Sequence, residues 1–322
     1  MSKTALLFAG QGAQIVGMGK DLAAQFPTAK AWFDRANAAV GYDLCSVCFI
    51  GPDTELTKTE NAQPGIFLVS WVAFQLLREK VQSLKSNAQS SGTAATLDFQ
   101  ATAGLSLGEF TALTAAGAMS FEDGLRVVRQ RGKFMQEACD ATRGGMAAVI
   151  GLDEAPTREV CAGAGVVLAN LNCPGQLVIS GEMESISKAV ELAKAKGAKR
   201  AIPLPVAGAY HSPLMATAQS KLQAELARIN LSAPIVPVIS NVSAQPHGAP
   251  GEISARLVEQ VTSSVLWEKS MRYLLDQGFT RFIELGPGTA LSGFMKRIDK
   301  GAQMLNVSDA ASLEVALKTL LA

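Results

Sequence analysis

The stretch "AGLSLGEF", Ala103–Phe110, sets a serine between two glycines with one residue on either side: Gly104-Leu105-Ser106-Leu107-Gly108. Residues 99–105 read as a short strand and residues 107–118 as a helix, so the serine falls on a strand–turn–helix junction. That is the setting in which a Gly-x-Ser-x-Gly serine is lifted out of the backbone as a nucleophile. The pattern also arises by chance, and a nucleophile further requires a base, an oxyanion hole and a means of selecting substrate.

Working outward, "TALLFAGQGAQ" near the N-terminus reads as a buried strand running into a Gly/Gln turn. Helical periodicity covers 28–40 and 65–81, the second with Pro64 ahead of its first turn, and Ser120 with Asp123 caps a helix over 121–138. Residues 83–100 are rich in Ser, Ala and Asn without periodicity and read as a surface loop. From 144 to 206 the elements shorten and follow the order β-α-β-β-α-β, the ferredoxin-like signature. Strands near 235–240, 280–285 and 303–307 then restore the α/β alternation. The expected fold class is α/β. A large domain formed by 1–140 and 207–322 has a parallel-sheet core, and 141–206 forms an inserted ferredoxin-like small domain.

Composition narrows the function classes. The 322 residues are 48% hydrophobic and 18% charged, with 29 basic against 28 acidic side chains and a net charge of +1. This balance points to neither nucleic acid nor an anionic membrane surface. The longest apolar runs fall short of the roughly 20 residues that cross a bilayer. No signal-peptide core follows the N-terminus, so a cytoplasmic protein is expected, or a plastid or mitochondrial one if a transit peptide has been removed. Of the five cysteines, Cys45 and Cys48 form a Cys-x-x-Cys, but with no second pair and only His211 and His247 as histidines the expectation is apolar packing and no metal.

His247 lies in the Pro/Gly stretch "SAQPHGAPGE" and reads as an exposed loop residue. His211, in "AGAYHSPLM", follows the strand "AIPLPV" and precedes Ser212 and Pro213, which read as the N-cap and first residue of a helix through Leu226. A ring at a strand's carboxyl end and near a helix N-terminus is disfavoured as imidazolium and available as a base, although a histidine merely packed beside the cap fits the same position. On the helix after Ser120, Arg131 has Val127, Val128, Phe134 and Met135 as neighbours, whereas Arg129 has Arg126 and Lys133 and reads as solvated. A guanidinium on an apolar stripe requires a carboxylate, either from the protein as an ion pair or from a dicarboxylic acyl substrate.

With these residues assembled, the chain resembles the malonyl-CoA:acyl-carrier-protein transacylases of type II fatty acid synthesis and, more loosely, the acyltransferase domains of polyketide synthases. The resemblance runs essentially end to end, through "FAGQGAQ", "AGLSLGEF", "RGKFMQEA", "NLNCPGQLVISG", "AGAYHSPLM" and "ELGPGTALSGF". It implies an α/β-hydrolase-like large domain, Ser106 as the acylated nucleophile, His211 as its base and Arg131 as the receiver of the malonyl carboxylate. It also implies Gln11 and Leu107 as main-chain oxyanion donors, Gln260 as the residue whose carbonyl orients the histidine, and Asn170 and Asn172 as cleft-lining residues. The implied partners are malonyl-CoA and acyl carrier protein, with no cofactor and a monomeric enzyme. Departures from the family pattern are Leu105 for histidine, Ala9 for proline, and Ser263-Ser264 for Asn-Pro. The alternatives are a serine hydrolase, a trans-acting polyketide acyltransferase and a non-catalytic carrier-protein scaffold.

Overall fold

The computed structural model describes residues 3–88 and 97–321. The strands, in chain order, are β1 (Lys3–Phe8), β2 (Ala101–Gly104), β3 (Gly144–Ile150), β4 (Val167–Cys173), β5 (Gln176–Glu182), β6 (Arg200–Pro203), β7 (Val238–Ile239), β8 (Phe279–Leu285) and β9 (Gln303–Val307). Parallel pairing joins five of them in the order β7-β2-β1-β8-β9. β1 lies in the middle and reads as an unbroken apolar run because both of its faces are covered. Leu6 and Phe8 enter the core beneath one set of helices, while Ala5 and Leu7 join Trp267, Met271 and Phe282 on the opposite face.

The register brings three strand ends level, with Phe8 opposite both Gly104 and Leu285. The chain segments leaving β1, β2 and β8 therefore emerge together at the carboxyl edge of the sheet, which is where open α/β sheets hold ligands.

The second sheet is antiparallel, ordered β4-β5-β3-β6, with the helices Glu154–Ala164 and Met183–Ala195 completing the expected β-α-β-β-α-β sequence of elements. Its apolar residues, among them Val149, Leu168, Ile179 and Ile186, form a core cluster of their own. One edge meets the larger unit directly: Leu171 N donates to Val265 O at 2.9 Å and Val265 N to Ala169 O at 2.8 Å. This pairing fixes Asn170 beside the segment that carries Gln260.

Several expectations are corrected. The helix expected over 65–81 runs Thr59–Ala88 and takes Pro64 inside it, because the apolar face of this segment packs along the helix Phe121–Asp140 and overrides the local proline signal. The surface loop expected over 83–100 is thus helical to Ala88, and the rest of it up to residue 96 lies outside the described residues. The capped helix after Ser120 is present, with Asp123 N donating to Ser120 Oγ at 3.1 Å. Cys45 and Cys48 are buried in the short helix Leu44–Phe49, and burial pushes the Cys45 thiol up to about 12. Among the described residues no helix is long and apolar enough to cross a membrane, and no cluster of three metal-ligating side chains occurs.

Candidate active site

Glycine packing makes the turn at Ser106. A Cβ on Gly104 would fall 1.9 Å from the Gly108 carbonyl carbon, and one on Gly108 would fall 2.2 Å from Phe8 O. The helix Leu107–Ala115 can fold back against β1 and β2 only because both positions lack a side chain. The cost appears at Ser106 itself, held at φ 51° and ψ −103° in a region that L-residues rarely occupy. Asn241 braces this strained residue: its Oδ1 accepts from Ser106 N at 2.6 Å, and its Nδ2 donates to Gly104 O at 2.8 Å.

His211 lies well past the end of β6, in a turn leading to the 3-10 segment Pro213–Met215, not at the strand end its sequence position suggested. Its backbone is also strained, at φ 57°. Ser106 Oγ lies 2.9 Å from His211 Nε2, and His211 Nδ1 lies 2.9 Å from the main-chain oxygen of Gln260. A carbonyl can only accept, so Nδ1 carries the ring hydrogen and Nε2 presents its lone pair to the serine hydroxyl. The ring pKa is brought down to about 4, first by burial and then by the nearby Arg131 guanidinium. The ring is therefore neutral, and able to take a proton, across the physiological range.

Arg131 is 1% exposed. Among the described residues no protein carboxylate lies within ion-pair distance of it, so of the two expected sources the ion pair within the protein is not met. It donates instead to neutral oxygens: Nη1 to Gln63 Oε1 at 2.7 Å, and Nη2 to Gln260 Oε1 at 2.9 Å and Ser106 Oγ at 3.0 Å. Its Nε is buried without a partner. Burial lowers its pKa to about 10, with the Glu109 charge opposing the shift, so the group stays cationic at neutral pH. Arg129, read as solvated, is instead half-buried over the Tyr42 ring and donates to Val40 O at 2.8 Å.

Gln11 and Leu107 lie on the two loops that flank Ser106. The Leu107 N–H opens its helix, where no carbonyl one turn back can receive it, and the Gln11 N–H makes no hydrogen bond within the described residues. Gly10 lets these loops approach, since a Cβ there would fall 2.5 Å from Leu105 O. The Gln11 side chain reaches Thr59 Oγ1 at 3.3 Å and the Tyr210 hydroxyl at 3.5 Å. Asn170 and Asn172 project from β4 into the same space, and the Asn172 Oδ1 has no partner.

A cavity of about 720 Å³ joins these groups. Ser106, His211, Gln11, Asn170 and Asn172 line it, together with apolar side chains such as Met135 and Phe294. The structure thus brings together every predicted site residue. Sequence reading missed Gln63, Glu109, Asn241 and His247. His247, expected on an exposed loop, is buried with Nε2 2.6 Å from Glu109 Oε1. The one signal for Glu109 was its place on the first turn after Ser106; the others come from distant segments that only folding joins.

Residues 5–316 match the family described as acyl transferase domain. The malonyl CoA-acyl carrier protein transacylase of Bacillus subtilis is 45% identical over 325 residues, spanning 99% of this chain and 98% of the relative. The solved malonyl CoA-acyl carrier protein transacylase of Coxiella burnetii superposes with a TM-score of 0.91 at 36% identity, covering 99% of this chain and 98% of that one. A malonyl-transacylase solved in complex with its type II polyketide acyl-carrier protein gives 0.92 at 36% identity, over 99% and 100%. With matches of this identity and coverage over essentially the whole chain, the chain belongs to the malonyl CoA-acyl carrier protein transacylases within the acyl transferase domain family.

Proposed function

We propose that this protein transfers the malonyl group from malonyl-CoA to the pantetheine thiol of acyl carrier protein through a malonyl-serine intermediate, supplying fatty acid synthesis. The observation that carries the reading is the buried Arg131 guanidinium, 3.0 Å from the Ser106 hydroxyl and without a carboxylate partner. Nε and Nη2 share one edge of the guanidinium. A substrate carboxylate taking that edge replaces the bond from Nη2 to Ser106 Oγ and leaves the hydroxyl to His211.

In the first half-reaction Ser106 Oγ passes its proton to His211 Nε2 and attacks the thioester carbonyl. The Leu107 and Gln11 N–H groups receive the oxyanion. The C–S bond then breaks, and the CoA sulfur takes the proton from His211. In the second, the pantetheine thiol gives its proton to His211 and its sulfur attacks the malonyl ester, and Ser106 recovers the proton as its ester bond breaks. The Gln260 carbonyl holds the ring for both transfers.

The larger sheet, with its serine on a strand–helix turn, supports an α/β-hydrolase-like reading for 1–140 and 207–322. The order β4-β5-β3-β6 and the separate core support a ferredoxin-like domain for 141–206. The reading takes the enzyme as a cytoplasmic monomer, and five cysteines without a disulfide fit a reducing compartment.

The acidic carrier protein requires a basic surface near the cavity. Lys194 and Lys196 are engaged by Glu191 and Glu159 at 2.8 and 2.5 Å. Lys199 lies against Gly151, whose N–H donates to Gly175 O at 2.8 Å, and Arg297 donates to the neighbouring Pro174 O at 2.7 Å. Lys199 and Arg297 are thereby brought near one another by the Gly151–Gly175 contact, and with their chain neighbours Arg200 and Lys296 they are the basic residues this reading offers to the carrier.

Intact-protein mass spectrometry after mixing with malonyl-CoA tests the central step. A malonyl adduct is expected on the native chain and none on Ser106→Ala; an adduct that survives in the variant, or no adduct on the native chain, overturns it.

A further inference from the structure

Glu109 has no part in the chemistry above, yet it is fully buried one turn from Ser106. Its two oxygens accept three N–H donors: Oε1 from His247 Nε2 at 2.6 Å, and Oε2 from Gln260 Nε2 at 2.6 Å and Asn241 N at 3.2 Å. The His247 side chain has no exposed surface, so its bond to Glu109 is shielded from water.

These contacts decide which way the Gln260 amide points. Its Nε2 faces Glu109 Oε2 and, at 3.0 Å, Ser106 O, both of which can only accept. Rotating the amide by half a turn would set oxygen against two acceptors and nitrogen against the Arg131 donors. Oε1 is therefore committed to Arg131 Nη2, while the main-chain oxygen of the same residue receives His211 Nδ1. His247 holds the first carboxylate oxygen, which turns the second toward Gln260.

We propose that Glu109 and His247 are positioning residues for acyl-group selection: through the Gln260 amide they aim the Arg131 guanidinium at the carboxylate of the incoming acyl group. The proposal rests on the reading of Arg131 as the receiver of that carboxylate. An acetyl group presents no carboxylate, so its transfer needs Ser106 and His211 but not an aimed Arg131. Damage to the Glu109–Gln260 link falls on malonyl alone, whereas loss of a merely structural contact lowers transfer of both groups together.

The test measures single-turnover acylation of Ser106 by malonyl-CoA and by acetyl-CoA, read by intact mass, for the native enzyme, Glu109→Gln, His247→Phe and His247→Gln, each checked by thermal melting. Glu109→Gln is expected to lower the malonyl-to-acetyl rate ratio by about 10-fold or more, with the acetyl rate within about threefold of native. His247→Phe, which deprives Glu109 of one donor, lowers the ratio in the same direction. His247→Gln, whose amide N–H replaces that donor, restores it. If Glu109→Gln does not fold, the two His247 variants decide. An unchanged ratio in the folded variants, or malonyl and acetyl rates falling together, overturns the proposal. A native enzyme that does not favour malonyl over acetyl overturns the Arg131 reading itself, so the two failures are distinguishable.

Discussion

Removing the His211 ring from water and setting it near the Arg131 guanidinium both penalise the imidazolium, and the ring pKa falls to about 4. A base with a lowered pKa is active above that value and lost below it, so kcat/KM for acylation should rise with pH through about 4 and stay level through neutrality. Arg131→Ala removes the second cause and leaves the first. The acid limb measured with acetyl-CoA should then move to higher pH without reaching the ordinary histidine value; a limb that stays in place sinks this electrostatic link. The same variant should lose malonyl transfer on the order of 100-fold, because charge-assisted bonds to a desolvated carboxylate are removed, and should keep acetyl transfer. Parallel rates against both thioesters check it. Arg131 was legible as an arginine on an apolar stripe, since helical spacing is local. Its neutral partners were not, because Gln63 and Gln260 arrive from remote parts of the chain.

At the scale of elements, the turn between β2 and its helix depends on two glycines that meet backbone. Gly108→Ala would push a Cβ to 2.2 Å from Phe8 O, a contact that no rotamer relieves. The expected loss is about 1–3 kcal/mol, seen as a lower Tm, with slower Ser106 acylation as the strained serine shifts. A variant with native Tm and native acylation rate would show that the packing at this turn is not required. Strand, turn and helix were readable here because a buried apolar run, a Gly-x-Ser-x-Gly and a helical period are local signals. The extent of the helix Thr59–Ala88 was not: packing against Phe121–Asp140 carries it through Pro64.

For the whole molecule, the active cavity belongs to both sheets, the larger contributing Ser106 and the smaller Asn170 and Asn172. The residues proposed to dock the carrier likewise come from the smaller unit, with Arg200 on β6, and from the helix Ala290–Ile298, with Lys296 and Arg297. Reversing charge at Lys199 and Arg297 together should raise the KM for carrier protein severalfold and leave acylation by malonyl-CoA unchanged. Steady-state transfer and the CoA half-reaction, measured on one preparation, separate a docking defect from a folding one. Loss of both would refute the docking role.

By itself the sequence determined the α/β class, the β-α-β-β-α-β order of the smaller unit, the serine on its turn, the arginine on its stripe and the histidine ahead of a proline, because each is written in residues close together along the chain. Tertiary structure alone decided that His211 is neutral and 2.9 Å from the Ser106 hydroxyl, that Arg131 is buried among neutral acceptors, and that His247 is buried on Glu109. Burial and hydrogen-bond partners set those properties, and both depend on segments that become neighbours only when the parallel strand ends come level.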